Sequence, residues 1–131
     1  MSINATRMDE ISTIILEAVP PSKFPDDPIA NLEEAKKFKE HIGGHIYRLI
    51  DLSAVSADYT FSDVMIGMAT ERGKEGGADD PDVTTIFVGF GDVVELGAKS
   101  LQEQEQYGKG DVHLFNSQDE ALRYIREREG K

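Results

Sequence analysis

The sequence predicts an α/β fold: an N-terminal β-hairpin, then helices and strands alternating to give the order ββαβαβαβα and a mostly parallel sheet flanked by helices. Three observations predict it. The first twenty residues carry a β-branched run, Ile11-Ser12-Thr13-Ile14-Ile15-Leu16, which reads as strand rather than helix. Two short, nearly continuous apolar runs, His45 to Leu52 and Val83 to Phe90, have the pattern of strands buried on both faces. Between and after them lie segments with capping residues and 3.6-residue apolar periodicity, and strands that alternate with helices signal a parallel sheet covered by helices.

Taken in order, the hairpin consists of a short strand around Ser2 to Thr6, a turn at Met8-Asp9-Glu10 and the run from Ile11 to Leu16. Four prolines between Pro20 and Pro28, interleaved with Asp26 and Asp27, predict an extended loop, because proline cannot donate to a ladder. The first helix is expected from Asn31, which with Glu34 makes a capping-box-like start, to Ile42, where Gly43-Gly44 stops it. The second is expected from Thr60, which stands three residues before Asp63 so that a hydroxyl of Thr60 or Ser62 caps the helix, to about residue 74, with Phe61, Val64, Met65 and Met68 on one buried face. Gly73 to Asp82 reads as a charged, solvated loop. Asp92 and Glu95 repeat the cap spacing and open a third helix to about Gln106, with a thin stripe of Val93, Val94, Gly97, Ala98 and Leu101. Val112 to Phe115 is a last short strand, and Ser117-Gln118-Asp119-Glu120 caps a fourth helix that buries Ala121, Leu122, Tyr124 and Ile125.

Composition narrows the function classes. A chain of 131 residues is the size of one domain, so residues 1–131 are treated as a single unit with one ordinary core. There are no cysteines, which excludes disulfides, thiolate metal sites and a cysteine nucleophile. No apolar run approaches the roughly 20 residues that cross a bilayer, and Met1 to Glu10 lacks the apolar stretch of a signal peptide. A cytoplasmic location is expected. With 25 acidic against 14 basic residues the net charge is −11, which makes nucleic acid and anionic membrane poor partners. The charge either serves solubility alone or suits a protein partner with a basic surface. The expected assembly is a monomer or a weak homodimer.

Three stretches in this order resemble a known family. Leu49-Ile50-Asp51-Leu52-Ser53-Ala54-Val55 is similar to the central strand of STAS domains and the loop that follows it. Ile86-Phe87-Val88-Gly89-Phe90-Gly91 resembles the next strand and its turn. Val112-His113-Leu114-Phe115-Asn116-Ser117-Gln118-Asp119-Glu120-Ala121-Leu122 resembles the terminal strand and helix. Together with the hairpin start, the resemblance to the STAS and anti-sigma-factor-antagonist group covers nearly the whole chain. It implies a protein-interaction module without catalytic groups, in which a partner kinase phosphorylates a hydroxyl at the start of the helix after the central strand. Counting on from Asp51-Leu52-Ser53 carries that acceptor to Thr60, with Tyr59 where the family has Asp, Asp58 one residue earlier, and Ser62 nearby. The Ser-Gly-Leu stretch that follows the acceptor in those members is absent. The chain therefore looks more like the family's divergent, uncharacterised bacterial relatives than its sporulation regulators.

Other chemistries fit the residues less well. His41 and His45 are four apart, but Gly43-Gly44 separates them, so they cannot share a helix face as metal ligands do. His113 has no nucleophile or orienting partner visible in the sequence and reads as structural. Gly89-Phe90-Gly91 lies where a phosphate-binding turn would, without the following Lys-Ser/Thr or the third glycine. It reads as a tight turn. Asp79-Asp80-Pro81-Asp82 lacks the alternation and terminal Glu of a calcium loop. A phospho-receiver would need an acidic pair at Leu16-Glu17-Ala18 and a Lys after Phe115, and has neither. No metal and no cofactor are expected. The rival to a protein-binding module is a small-ligand binder or enzyme using the strand-end crevice near Asp51, Ser53, Gly89 and Gly91, since ligands of open α/β sheets sit at the carboxyl ends of strands.

Overall fold

The computed structural model describes residues 3–21, 26–103 and 111–130. Five strands form one sheet in the order β1-β2-β3-β4-β5: β1 (Ile3–Met8), β2 (Thr13–Ala18), β3 (Ile46–Asp51), β4 (Val83–Val88) and β5 (Val112–Phe115). The hairpin pair β1-β2 is antiparallel, with Met8 opposite Thr13, and every later pairing is parallel. The helices are α1 (Asp26–Ile42), α2 (Phe61–Glu71), α3 (Asp92–Glu103) and α4 (Gln118–Glu129). The predicted fold class and element order are those observed.

Because β2 to β5 advance in one direction across the sheet, crossovers of one hand place their helices on one face. Ile14, Leu16, Ile46, Ile50 and Val83 pack there with Ala35 and Phe38 of α1 and Val94 of α3. Val64 and Met68 of α2 join Leu101 and Val112 towards the β5 edge. The helix that follows β5 covers the other face: Ala121 and Ile125 of α4 pack on Ile15, Tyr47, Leu49, Ile86 and Val88.

Several expectations need correction. The turn at Met8-Asp9-Glu10 is a short 3-10 turn over Asp9–Ile11, followed by Ser12 at φ +49°. That inserts Ile11 into the core and delays β2 to Thr13. α1 begins at Asp26 rather than Asn31, so Pro28 is helical, not part of an extended loop. Proline is tolerated in a first turn, where its missing N–H has no intrahelical acceptor to lose. Asn31 is consequently buried inside the helix instead of capping it. The rest of the predicted proline loop, at 22–25, lies outside the described residues, as does the predicted end of α3 at 104–106. Phe61 and Met65, expected in the core, are exposed. Leu122 and Tyr124 are only half-buried.

The loop from 73 to 82 is not wholly solvated either. Asp80 is buried and accepts from the N–H groups of Gly76 (2.8 Å) and Asp82 (2.9 Å) and from Lys39 Nζ of α1 (2.9 Å). Burial alone would raise its pKa; those donors outweigh burial and hold the carboxyl below its ordinary value. Asp79 receives the N–H of Gly73 (2.7 Å). Asp80 thereby pins the loop onto α1, while Asp79 braces the loop's own backbone.

Candidate functional site at the carboxyl end of the sheet

The residues singled out in the sequence gather at the carboxyl ends of the parallel strands. Asp51 ends β3 opposite Val88. After it the chain makes a short 3-10 turn, Ser56–Asp58, and enters α2. Thr60 is the N-cap: its Oγ1 accepts from Asp63 N–H (3.1 Å), and its own N–H donates to Asp63 Oδ2 (3.0 Å). This reciprocal capping box satisfies two groups that a helix start leaves unpaired. Asp58, Thr60 and Ser62 are exposed, and Tyr59 is half-buried. Burial, followed by the charges of Asp63, Glu71 and Asp27, pushes the Tyr59 phenol pKa upward, so it stays a neutral donor throughout the physiological range.

The turn after β4 is braced against the same segment. Ser56 Oγ donates to Leu52 O (2.7 Å) and accepts from Phe90 N–H (3.3 Å). A Cβ on Gly89 would stand 2.9 Å from that oxygen, so only glycine allows the approach. Gly91, at φ +94°, then turns the chain into α3 in a conformation that other residues rarely adopt. These glycines serve packing and turn geometry, the bland reading of Gly89-Phe90-Gly91.

Asp51 does not face an open crevice. Its Oδ1 accepts from Ser53 N–H (2.9 Å), and its Oδ2 accepts from Gln118 Nε2 (2.7 Å), which also donates to Glu17 Oε2 (3.0 Å). Gln118, the first residue of α4, thus bridges the carboxylates ending β2 and β3. The exposed Ser53 lies just beyond. A cavity does exist on the helix-covered face beneath, but Asp51, Ser53, Gly89 and Gly91 do not line it.

What the sequence reading missed is apolar. Phe61 is 55 % exposed and Phe90 53 %, and Met65, Ile66 and Leu96 are also exposed. Phe61 and Met65 lie four apart on α2, hence on one side of it, while Phe90 emerges from the turn tied to Ser56. The stretches 54–66 and 89–98 contain four acidic residues, Asp58, Asp63, Asp92 and Glu95, and no Lys or Arg. The end of the molecule that carries Thr60 and Ser62 is therefore both apolar and acidic.

At the opposite, amino end of the sheet, His113 has partners that its sequence neighbourhood only half revealed. Asp111 Oδ1 lies 2.7 Å from His113 Nε2, and Asp111 Oδ2 accepts from Thr84 Oγ1 (2.7 Å) and Arg128 Nη2 (3.1 Å). Tyr124 OH is 3.1 Å from His113 Nε2, and His45 Nε2 is 2.7 Å from Thr84 Oγ1. Burial would raise the Asp111 pKa, but Thr84, Arg128 and His113 together hold it down to about 2. The network clamps β3, β4, β5 and α4 together, the structural role expected for His113.

Among the described residues, no group of three or more His, Asp or Glu side chains is placed to hold a metal ion, and no helix is long and apolar enough to cross a membrane. No family model matches the chain, and neither a curated protein nor a solved structure does.

Proposed function

We propose that this is a non-enzymatic protein-interaction module of the STAS type, which binds a partner with a basic surface through the start of α2 and the β4-α3 turn. The observation that carries the reading is the pair of exposed phenylalanines, Phe61 and Phe90, set among acidic residues at one end of the sheet. Aromatic groups exposed within a polar rim are typical anchors of protein interfaces. The surrounding charge selects a basic partner and speeds encounter with it. Thr60 and Ser62 sit in this surface, at a helix start where a phosphoryl group meets a favourable dipole. A phosphate on either would add negative charge at the centre of the contact and strengthen a basic partner's binding. The agreement of element order with the family resemblance supports the same reading. So does the engagement of Asp51 and Gly89 in the protein's own packing, which leaves little of the strand-end crevice for a substrate.

The test compares lysate capture on the wild-type chain and on a Phe61→Ser/Phe90→Ser variant, with quantitative mass spectrometry and then titration of the purified candidate. A basic protein captured by the wild type only, binding more weakly as salt rises, is the expected result. Identical captured sets would overturn the interface. Mapping phosphorylation after incubation with lysate and ATP tests the switch: unmodified Thr60 and Ser62 would leave only the cap.

A further inference from the structure

Between the sheet and the three helices on one of its faces lies a cavity of about 70 Å³. Leu16, Ile50 and Phe87 form its sheet side, and Val64, Val94 and Ala98 its helix side. Asp27, Tyr59 and Glu71 add polar groups to a wall that is otherwise mostly apolar, and apolar cavity surface favours apolar guests. Asn31 of α1 also lines it. That side chain is only 8 % exposed, and its Oδ1 is buried with no hydrogen-bond partner. An unsatisfied buried acceptor is uncommon and costly in a folded protein. A sequence in which α1 starts before Asn31 would ordinarily place leucine or alanine at that position.

We infer that this cavity binds a short aliphatic group ending in a hydrogen-bond donor, a hydroxyl or an amide N–H, which bonds to Asn31 Oδ1 while its chain lies against Ile50, Phe87 and Val94. The size sets the limit: 70 Å³ is the room of about two liquid waters, or of a chain of about three or four heavy atoms. Tyr59, half-buried with its phenol neutral, stands in the same wall beside Leu52, on the side of the cavity towards the carboxyl ends of the strands. This inference does not rest on the protein-binding reading, and either stands if the other falls.

The experiment titrates the full chain, labelled with nitrogen-15, with the primary alcohols from ethanol to 1-hexanol and with 1-chloropropane, following amide shifts of the lining residues. Saturable shifts confined to those residues are expected, with affinity rising about fourfold per methylene until the cavity is full. Asn31→Leu should erase the preference for 1-propanol over 1-chloropropane, a change on the order of tenfold. Ala98→Leu should abolish binding by filling the space; if that variant does not fold, Val94→Phe makes the same test. Non-saturable shifts, no dependence on chain length, or binding unaffected by the filling variants would show an enclosure occupied by water only and overturn the proposal.

Discussion

Arg48 offers the sharpest test of how this core is held. It lies in the middle of β3, 0 % exposed, with Nη2 2.7 Å from Glu71 Oε1 and 3.1 Å from Thr85 Oγ1, and with Nη1 unpartnered. The carboxylate of Glu71, at the end of α2, is its only counter-charge within bonding distance among the described residues. Replacing Glu71 by Ala leaves a desolvated cation, a change that costs about 3–5 kcal/mol. Because the Glu71 side chain is 14 % exposed, water can partly replace it, and the lower figure, about 3 kcal/mol, applies. With an unfolding entropy of about 2.1 cal/mol/K per residue, 131 residues convert that to a fall in Tm of roughly 11 °C. Arg48→Met/Glu71→Gln removes both charges and should regain at least about 2 kcal/mol, since buried pairs replaced by apolar groups are often neutral. Urea unfolding followed by circular dichroism at pH 7 reads all three proteins. If Glu71→Ala costs under about 1 kcal/mol, as a surface ion pair would, the assignment of a buried, dependent charge is wrong.

Two other groups link stability to pH, with opposite signs. Asp111, held down to about 2, contributes stability that is present above its ordinary pKa near 4 and is lost as pH falls towards 2. Because that side chain is 41 % exposed, the contribution is discounted to on the order of 1 kcal/mol, and Asp111→Asn should flatten the acid limb of an unfolding profile. Tyr47 is pushed up to about 12 by burial and by its bond to Glu129, so its contribution is complete below pH 10 and lost as pH rises through 12. Tyr47→Phe should remove that alkaline loss while leaving stability at pH 7 within about 1 kcal/mol. Thr60→Ala should cost about 1 kcal/mol through the lost cap, and Gly89→Ala should cost more, because its methyl would meet Ser56 Oγ at 2.9 Å; thermal unfolding ranks the two.

The parts of the fold legible in the sequence are those governed by local rules. The strands at Val83–Val88 and Val112–Phe115 and the caps at Thr60 and Ser117 were readable because apolar runs and capping hydroxyls have short-range causes. The start of α1 was not. Pro28 is compatible with both an extended loop and a first helical turn, and what decides between them is non-local: the helix must be long enough for Leu32, Ala35 and Phe38 to reach the sheet while Lys39 meets Asp80. Asp80 was misread for the same reason, since its charged donor, Lys39 of α1, lies 41 residues away. The partners of His113 escaped because Tyr124 reaches it, and Thr84 reaches Asp111, only once β4, β5 and α4 are assembled.

The misreading of Phe61 and Met65 is the one that bears on function. Periodicity placed them in the core because they fall at the i and i+4 positions beside Val64, but the period gives only the direction of a stripe, not the width that the packing covers. On α2 that width is set by the close approach of α3, where a Cβ on Gly97 would lie 3.1 Å from Val64 Cγ1. The contact shields Val64 and leaves Phe61 and Met65 outside it. An apolar stripe wider than the intramolecular contact keeps large side chains in water without any return in folding stability. The excess on this helix flanks Thr60 and Ser62 in the sequence, and the Phe90 N–H is tied to Ser56 in the segment that leads into the helix; these exposed side chains are the basis of the proposed partner surface.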